Sequence, residues 1–300
     1  MKYSFFLLLF CLLCCLLLPT VLAAQDYDGD LLWPWRMELG FSVGAMNCLT
    51  DLGGKKGNGR RFLKDVNWGY SRPCGGLFFS VRRKGIVALR LQCLRGSVMA
   101  DDKILKGVAG SGRYLRNLHF RSRVREWLGL LELSPVEWLM PEYWTSVSPY
   151  FIGGVGKFSF SPEARLGDRW VALSPLRTEG QGFEEYAARK PYGLNVWVIP
   201  VGFGLRHFSG RCSFGMEFFY RFTRTDYLDD VSRSYIDDRL FSKYLNAESA
   251  ALAMVLADRS REVGAVVNAV GSRRGNPANN DGYFSIELRF GLTVNRGPVE

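Results

Sequence analysis

The chain holds 300 residues, 39 basic and 29 acidic for a formal charge of +10, with 47% apolar residues and two histidines. That length suits one large domain or two small ones. Two histidines and scattered cysteines offer no zinc-ligand spacing and little for a Ser-His-Asp set, so neither metal nor cofactor is expected.

The N-terminus opens Met1-Lys2 and runs apolar from Phe5 to Leu18. Pro19 breaks the run, and Val21 to Ala24 supplies small residues before Gln25. This predicts a secretory signal peptide over 1–24 and a single domain over 25–300. Cys11, Cys14 and Cys15 lack the small residues expected before a lipidated cysteine. No second apolar run is long enough for a membrane helix. Removing Lys2 with the leader leaves +9. Outside the cytoplasm that excess favours phosphate-bearing lipids or glycans over nucleic acid.

The first predicted strand is Met37 to Gly44: Met37, Leu39, Phe41 and Val43 share one face, Glu38, Gly40, Ser42 and Gly44 the other. Trp33 and Trp35 precede it, where an interfacial aromatic girdle would lie. A loop rich in Gly, Lys and Arg follows, from Asn47 to Pro73. Strand two (Gly75–Arg82) turns tightly at Arg83-Lys84-Gly85 into strand three (Ile86–Arg95). There Val87, Leu89, Leu91 and Cys93 oppose Arg90 and Gln92. Strand four lies within Leu118 to Leu133, where His119, Arg121, Arg123 and Arg125 alternate with Phe120, Ser122 and Val124. Its phase blurs near Glu126, which marks a bulge or a strand boundary.

A medium turn from Ser134 to Val147 carries Trp138, Tyr143 and Trp144. Strand five (Pro149–Phe160) is dense in glycine, which permits bending. After a long loop to Pro191, strand six (Leu194–Arg206) turns at Ser209-Gly210 into strand seven (Cys212–Thr223). The longest loop, from Arg224 to Gly282, has helical composition over 240–267 and predicts one helix. The last strand, Tyr283 to Val294, alternates most cleanly: Phe284, Ile286, Leu288, Phe290, Leu292 and Val294 against Tyr283, Ser285, Glu287, Arg289, Gly291 and Thr293.

A soluble sandwich would turn such apolar faces inward, whereas a membrane barrel turns them to lipid. The connections run long, short, long, medium, long, short, long. That pattern matches an outer-membrane barrel, with short periplasmic turns and long extracellular loops. The predicted fold is therefore all-β: an eight-stranded antiparallel transmembrane β-barrel with four long loops, the last containing a helix.

Glu38, Glu217 and Glu287 are predicted inward, as are Arg90, Arg206, Arg221 and Arg289. An eight-stranded barrel is filled by side chains, so these charges form a structural network rather than a catalytic pair. Asp226, Asp229, Asp230, Asp237 and Asp238 are oxygen donors suited to calcium, but they lack EF-hand spacing. The better expectation is that they cap a loop helix or meet Arg233, Arg273 and Arg274. TEGQG (Thr178–Gly182) lacks the lysine of a phosphate loop. Its glycines permit a folded loop, from which Glu179 and Gln181 can reach the fourth loop. Lys55, Lys56, Arg60, Arg61, Lys64, Lys103, Lys106, Arg113 and Arg116 are loop cations. They either meet lipopolysaccharide phosphates or stay solvated. Cys48 and Cys74 flank the first loop at one end of adjacent strands and are expected to form a disulfide.

Several loop strings point to one family: LSPL at 173–176, TEGQG, DYLDDVS at 226–232, Tyr235 and Asp237, RRG at 273–275, Asn280-Asp281, and the opening ELGFSVGAMN. Together they resemble a family of Bacteroidota outer-membrane barrels related to the PorG-type component of type IX secretion. The likeness spans nearly the whole mature chain and implies no catalytic residue. It implies a membrane anchor or interaction scaffold for a periplasmic secretion complex, localised to the outer membrane. Trp138, Tyr143 and Trp144 would then contact a partner, or belong to the aromatic girdle. The alternative is a membrane-embedded enzyme acting on lipid or peptide at the barrel mouth.

Overall fold

The computed structural model describes residues 35–53, 68–107, 112–139 and 147–295. The leader, most of the first loop, Tyr143 and Trp144 lie outside the described residues. The strands are β1 (Trp35–Leu49), β2 (Arg72–Arg83), β3 (Val87–Asp101), β4 (His119–Leu133), β5 (Ser148–Leu166), a short β6 (Arg169–Ala172), β7 (Asn195–Ser209), β8 (Cys212–Thr223) and β9 (Gly282–Thr293). Eight of them close into an antiparallel barrel in the order β1-β2-β3-β4-β5-β7-β8-β9, with β9 back on β1 and β6 attached to the upper part of β5. Paired residues followed once round the barrel, from Met37 through Val81, Leu89, Leu131, Gly153, Val201, Tyr220 and Phe284, return to β1 at Asn47, ten residues further on. For eight strands that stagger implies a tilt of roughly 40°, and an interior only wide enough for side chains.

The two faces sort by polarity, and the sorting inverts along the axis. Towards the short turns the outward face carries Met37, Leu39, Leu89, Leu91, Leu131, Phe151, Phe203 and Leu205, all exposed, while buried charges face the lumen. Towards the long loops the inward face is apolar: Met46, Leu94, Val98, Phe120, Val124, Phe158, Phe160 and Tyr283 form one buried cluster. Arg95, Arg123 and Arg125 there point out and are exposed. A strand crossing lipid must show it apolar atoms, and the same strand beyond the lipid packs like a soluble β-protein.

This inversion explains β4. Its pairing with both neighbours runs without interruption through Glu126, so the expected bulge is absent. The blur marks where the apolar face changes sides. Strand boundaries otherwise extend beyond expectation at the long-loop end, most of all in β3, which reaches Asp101 rather than Arg95, and β5, which reaches Leu166 rather than Phe160.

The Arg83-to-Ile86 turn takes positive φ at both central residues, 47° at Lys84 and 71° at Gly85, with the Ile86 amide donating to the Arg83 carbonyl (3.1 Å). That geometry matches the twist of a tight hairpin. The described parts of the long loops form a folded cap rather than open coils. Helices α1 (Gly112–Arg116), α3 (Arg239–Tyr244) and α4 (Ala247–Ala257) lie on this side, and α2 (Pro135–Leu139) lies at the opposite end. The last long loop thus holds two α-helices where one was expected. The break comes at Leu245-Asn246, where Asn246 accepts from the Ser249 amide (2.8 Å) and caps α4. Phe183, Leu173, Leu176, Ile236, Phe241, Ala250, Ala253 and Leu256 make the cap a core of its own.

Candidate functional site

Two buried polar assemblies stand one above the other. In the lumen, five glutamates (Glu38, Glu126, Glu132, Glu217, Glu287) face five arginines (Arg82, Arg90, Arg206, Arg221, Arg289), all buried. Arg90 donates to both Glu217 oxygens (3.0 and 2.5 Å) and from Nε to Glu132 (2.6 Å). Glu132 also accepts from Arg206 (2.9 Å) and Arg82. Arg289 donates to Glu38 (2.9 Å), and Arg221 donates to Glu287 (3.1 Å) and faces Glu126 (3.3 Å). Ser42 and Gln92 donate to the remaining Glu287 oxygen at 2.8 and 3.1 Å. Phe78 lies between two guanidinium groups, Arg289 at 4.1 Å and Arg90 at 5.2 Å from its ring centre. Equal numbers of opposite charges, paired and hydrogen-bonded, offset the cost of leaving water.

The cap assembly is built differently. Arg116 of α1 donates to Asp102 from Nε (2.8 Å) and Nη2 (2.9 Å), to the Arg274 carbonyl (2.6 Å) and to the Asp51 carbonyl (2.8 Å), so one side chain ties three loops. Arg274 in turn donates to Glu179 (3.0 Å) and to the Asp230 carbonyl (2.6 Å). Glu179 accepts from the amides of Ser232 and Arg233 (2.9 and 3.1 Å), which bonds TEGQG to the fourth loop. Gly180 and Gly182 have φ of 71° and 82°, the left-handed region that makes this fold of the loop a glycine task. Gly275 is required for close approach instead, since a Cβ there would sit 2.7 Å from Asp51 Oδ2.

Asp51, Asp226, Asp229 and Asp281 gather at the same level. Asp229 accepts from the amides of Leu52 (3.2 Å) and Val231 (2.9 Å), and Asp281 accepts from Leu228 (2.9 Å). No arginine or lysine forms an ion pair with Asp226, Asp229 or Asp281 among the described residues. Burial, and then the neighbouring Asp51 charge, push the Asp229 carboxyl well above its usual range. Burial followed by Asp229 and Asp226 does the same to Asp281. Asp226 is pushed up to about 7, mainly by burial. Such groups hold protons near neutral pH. Among the described residues no cluster has the arrangement of a metal site.

No protein-family model matches the sequence, and no curated protein matches it. Among solved structures the chain is similar to Ail, the attachment invasion locus protein of Yersinia pestis, in complex with the heparin analogue sucrose octasulfate. That likeness covers 87% of this chain and 97% of the other, at 8% identity and a TM-score of 0.34.

The structure places Glu38, Arg90, Arg206, Glu217, Arg221, Glu287 and Arg289 together in the lumen. Arg82, Gln92, Glu126, Glu132 and Tyr150 join them there, and the sequence reading missed their part. Glu126 and Glu132 follow from β4 alternation once its phase is carried through. The expected Cys48–Cys74 disulfide is not formed, and both are buried free thiols. Cys74 pairs with Gly44, whereas Cys48 stands four residues higher, opposite Tyr283. That offset is about 13 Å along a strand, beyond the reach of a disulfide. Arg116 is likewise not a surface cation but is buried on Asp102. Asp230 accepts from Tyr192 (2.5 Å) and lies 3.8 Å from Arg274, and Asp237 accepts from the Arg239 amide (3.0 Å) at the start of α3. Trp138 is exposed on α2.

Proposed function

We propose that this outer-membrane barrel is a non-enzymatic interaction scaffold that presents a preformed surface on its extracellular cap. The observation that carries this reading is the segment after α4. Val266 is 89% exposed, and Val267 and Val270 are exposed beside it. Asp258 pins the base of the segment, accepting from the Asn268 amide (2.8 Å) and side chain (3.0 Å) and from the Ser260 amide (3.0 Å). Three apolar side chains held to water on a braced loop form a contact surface whose ordering cost is met before binding. A lumen filled by ion pairs offers neither a conduit nor a cleft for substrate. In-cell photocrosslinking from position 266 should give one defined adduct, absent when the probe stands at exposed Lys190, and Val267→Asp should abolish it without altering heat-modifiable migration. Absence of any adduct from position 266 would overturn the scaffold reading.

A second reading places the contact at the opposite end, as an anchor for a periplasmic secretion complex. The exposed Trp138 and Leu139 of α2 favour it, together with the resemblance to PorG-type barrels. Trp138→Ala should then impair secretion while the barrel still assembles. Intact secretion, or failed assembly from loss of an interfacial aromatic, refutes this anchor.

A further inference from the structure

The outer wall over β3, β4 and β5 carries a feature that scaffolding does not use. On these three adjacent strands the first outward residue beyond the apolar band is a cation: Arg95 after Cys93, Arg125 before Trp127, and Lys157 after Val155. Arg95 and Arg125 are direct cross-strand partners. Lys157 is paired with Trp127, which makes it a diagonal neighbour of Arg125. All three are exposed. Like charges directly opposite one another destabilise a sheet, and no carboxylate among the described residues pairs with any of them. The next arginines up β4 differ, because Arg121 (2.6 Å) and Arg123 both pair with Glu163. The unpaired set lies where the strands leave the lipid, with Trp127 73% exposed alongside.

Directly below, the wall has a groove of about 650 Å³ lined by Leu91, Cys93, Trp127, Val155, Lys157 and Trp197. Gly129, also on its lining, faces out between Leu91 and Val155. A Cβ there would meet only the Val155 carbonyl, at 3.8 Å, so the missing side chain leaves a notch that the barrel does not need. Lys157 stands over the Trp197 ring at 5.1 Å, which holds its ammonium at the rim of the groove.

We propose that this surface binds a phosphorylated glycolipid of the outer leaflet, with Arg95, Arg125 and Lys157 on a headgroup phosphate and an acyl chain in the groove past Gly129. Guanidinium forks match phosphate oxygens, and a dianionic group between Arg95 and Arg125 turns their repulsion into attraction. A hydrocarbon chain covers the notch as a side chain otherwise would. The site is on the barrel wall, apart from the loop cations and from both contact surfaces proposed above.

The test is native mass spectrometry of the purified full-length barrel, titrated with diphosphoryl lipid A, with its dephosphorylated form and with inorganic phosphate. One diphosphoryl lipid should be retained per barrel. Arg95→Gln with Arg125→Gln should weaken retention roughly tenfold, whereas Arg123→Gln should leave it unchanged. Gly129→Phe should weaken it by filling the notch, and it keeps the proposal testable if the arginine variant fails to fold. Heat-modifiable migration reports folding in each case. Equal retention of the dephosphorylated lipid, displacement by inorganic phosphate at matched concentration, or full retention by folded Gly129→Phe would each overturn the site.

Discussion

Glu132 in the lumen and Asp229 in the cap are both fully buried carboxylates, yet one is surrounded by guanidinium groups and the other by amides and further carboxylates. The lumen lies where water is scarce and the lipid-facing wall can supply no polar atoms, so its charges must cancel among themselves. Arginine serves that need because it stays charged and forks to two oxygens. The cap stands in water above the membrane, and beside its own ion pairs, Arg116–Asp102 and Arg274–Glu179, the carboxyls of Asp229 and Asp281 accept from loop amides while a proton takes the place of a cation. Charge is thus neutralised permanently throughout the lumen, and conditionally at the cap aspartates that lack a cation.

Removing the hub of the permanent network should have the larger effect. Glu132→Ala leaves Arg82, Arg90 and Arg206 facing one another in a low-dielectric interior, and should cost about 3–5 kcal/mol. Glu132→Gln keeps the volume and part of the hydrogen bonding and should cost less. Urea unfolding of the barrel in lipid vesicles measures both. If Glu132→Ala unfolds like the parent, the lumen is wetter than its burial implies and the contrast with the cap disappears.

Acidity should separate the regions more gently. A carboxyl whose folded pKa is raised binds its proton more tightly in the folded state. Its contribution to stability is therefore full below the unfolded pKa, and is lost as pH rises through the folded value. For Asp226 that loss runs from about pH 4, the ordinary aspartate value, up to about 7. Protection of the Leu52, Leu228 and Val231 amides, after correction for intrinsic exchange, should fall between pH 5 and pH 8, while lumen-lining strand amides stay constant. Asp226→Asn should flatten this dependence and stabilise the cap at pH 8 by roughly 1 kcal/mol, with little effect at pH 4. A cap whose protection does not vary with pH would show that its aspartates are ionised throughout.

Period-2 alternation made the barrel legible, because lipid on one side of a thin wall demands an apolar residue at every second position. The inward Glu and Arg positions on β1, β7, β8 and β9 followed from the same phase. It failed on β4, where the apolar face changes sides as the strand leaves the membrane, and that hid Glu126 and Glu132. The cysteine pairing failed for a related reason. Two residues flanking one loop look adjacent in sequence, but register is set by the whole ladder, and it sets Cys48 four residues above the partner of Cys74. In the fourth loop, helical composition located a helix but not its interruption at Asn246, which depends on a capping bond.

Strand number, the antiparallel order, the lipid-facing side of β1, β2, β3, β7, β8 and β9 and the tight turns were determined by sequence alone, since alternation and turn chemistry rest on neighbours two or three residues apart. The partner of each inward charge, the packing of four loops into a cap and the convergence of Asp51, Asp226, Asp229 and Asp281 were decided only by tertiary structure. Those contacts join residues as distant as Asp51 and Asn276, whose amide donates to the Asp51 carboxylate, and they depend on barrel closure and stagger, which no local pattern encodes. The cationic arc of Arg95, Arg125 and Lys157 is of the same kind: three unremarkable residues on separate strands, made neighbours by the register of β3, β4 and β5.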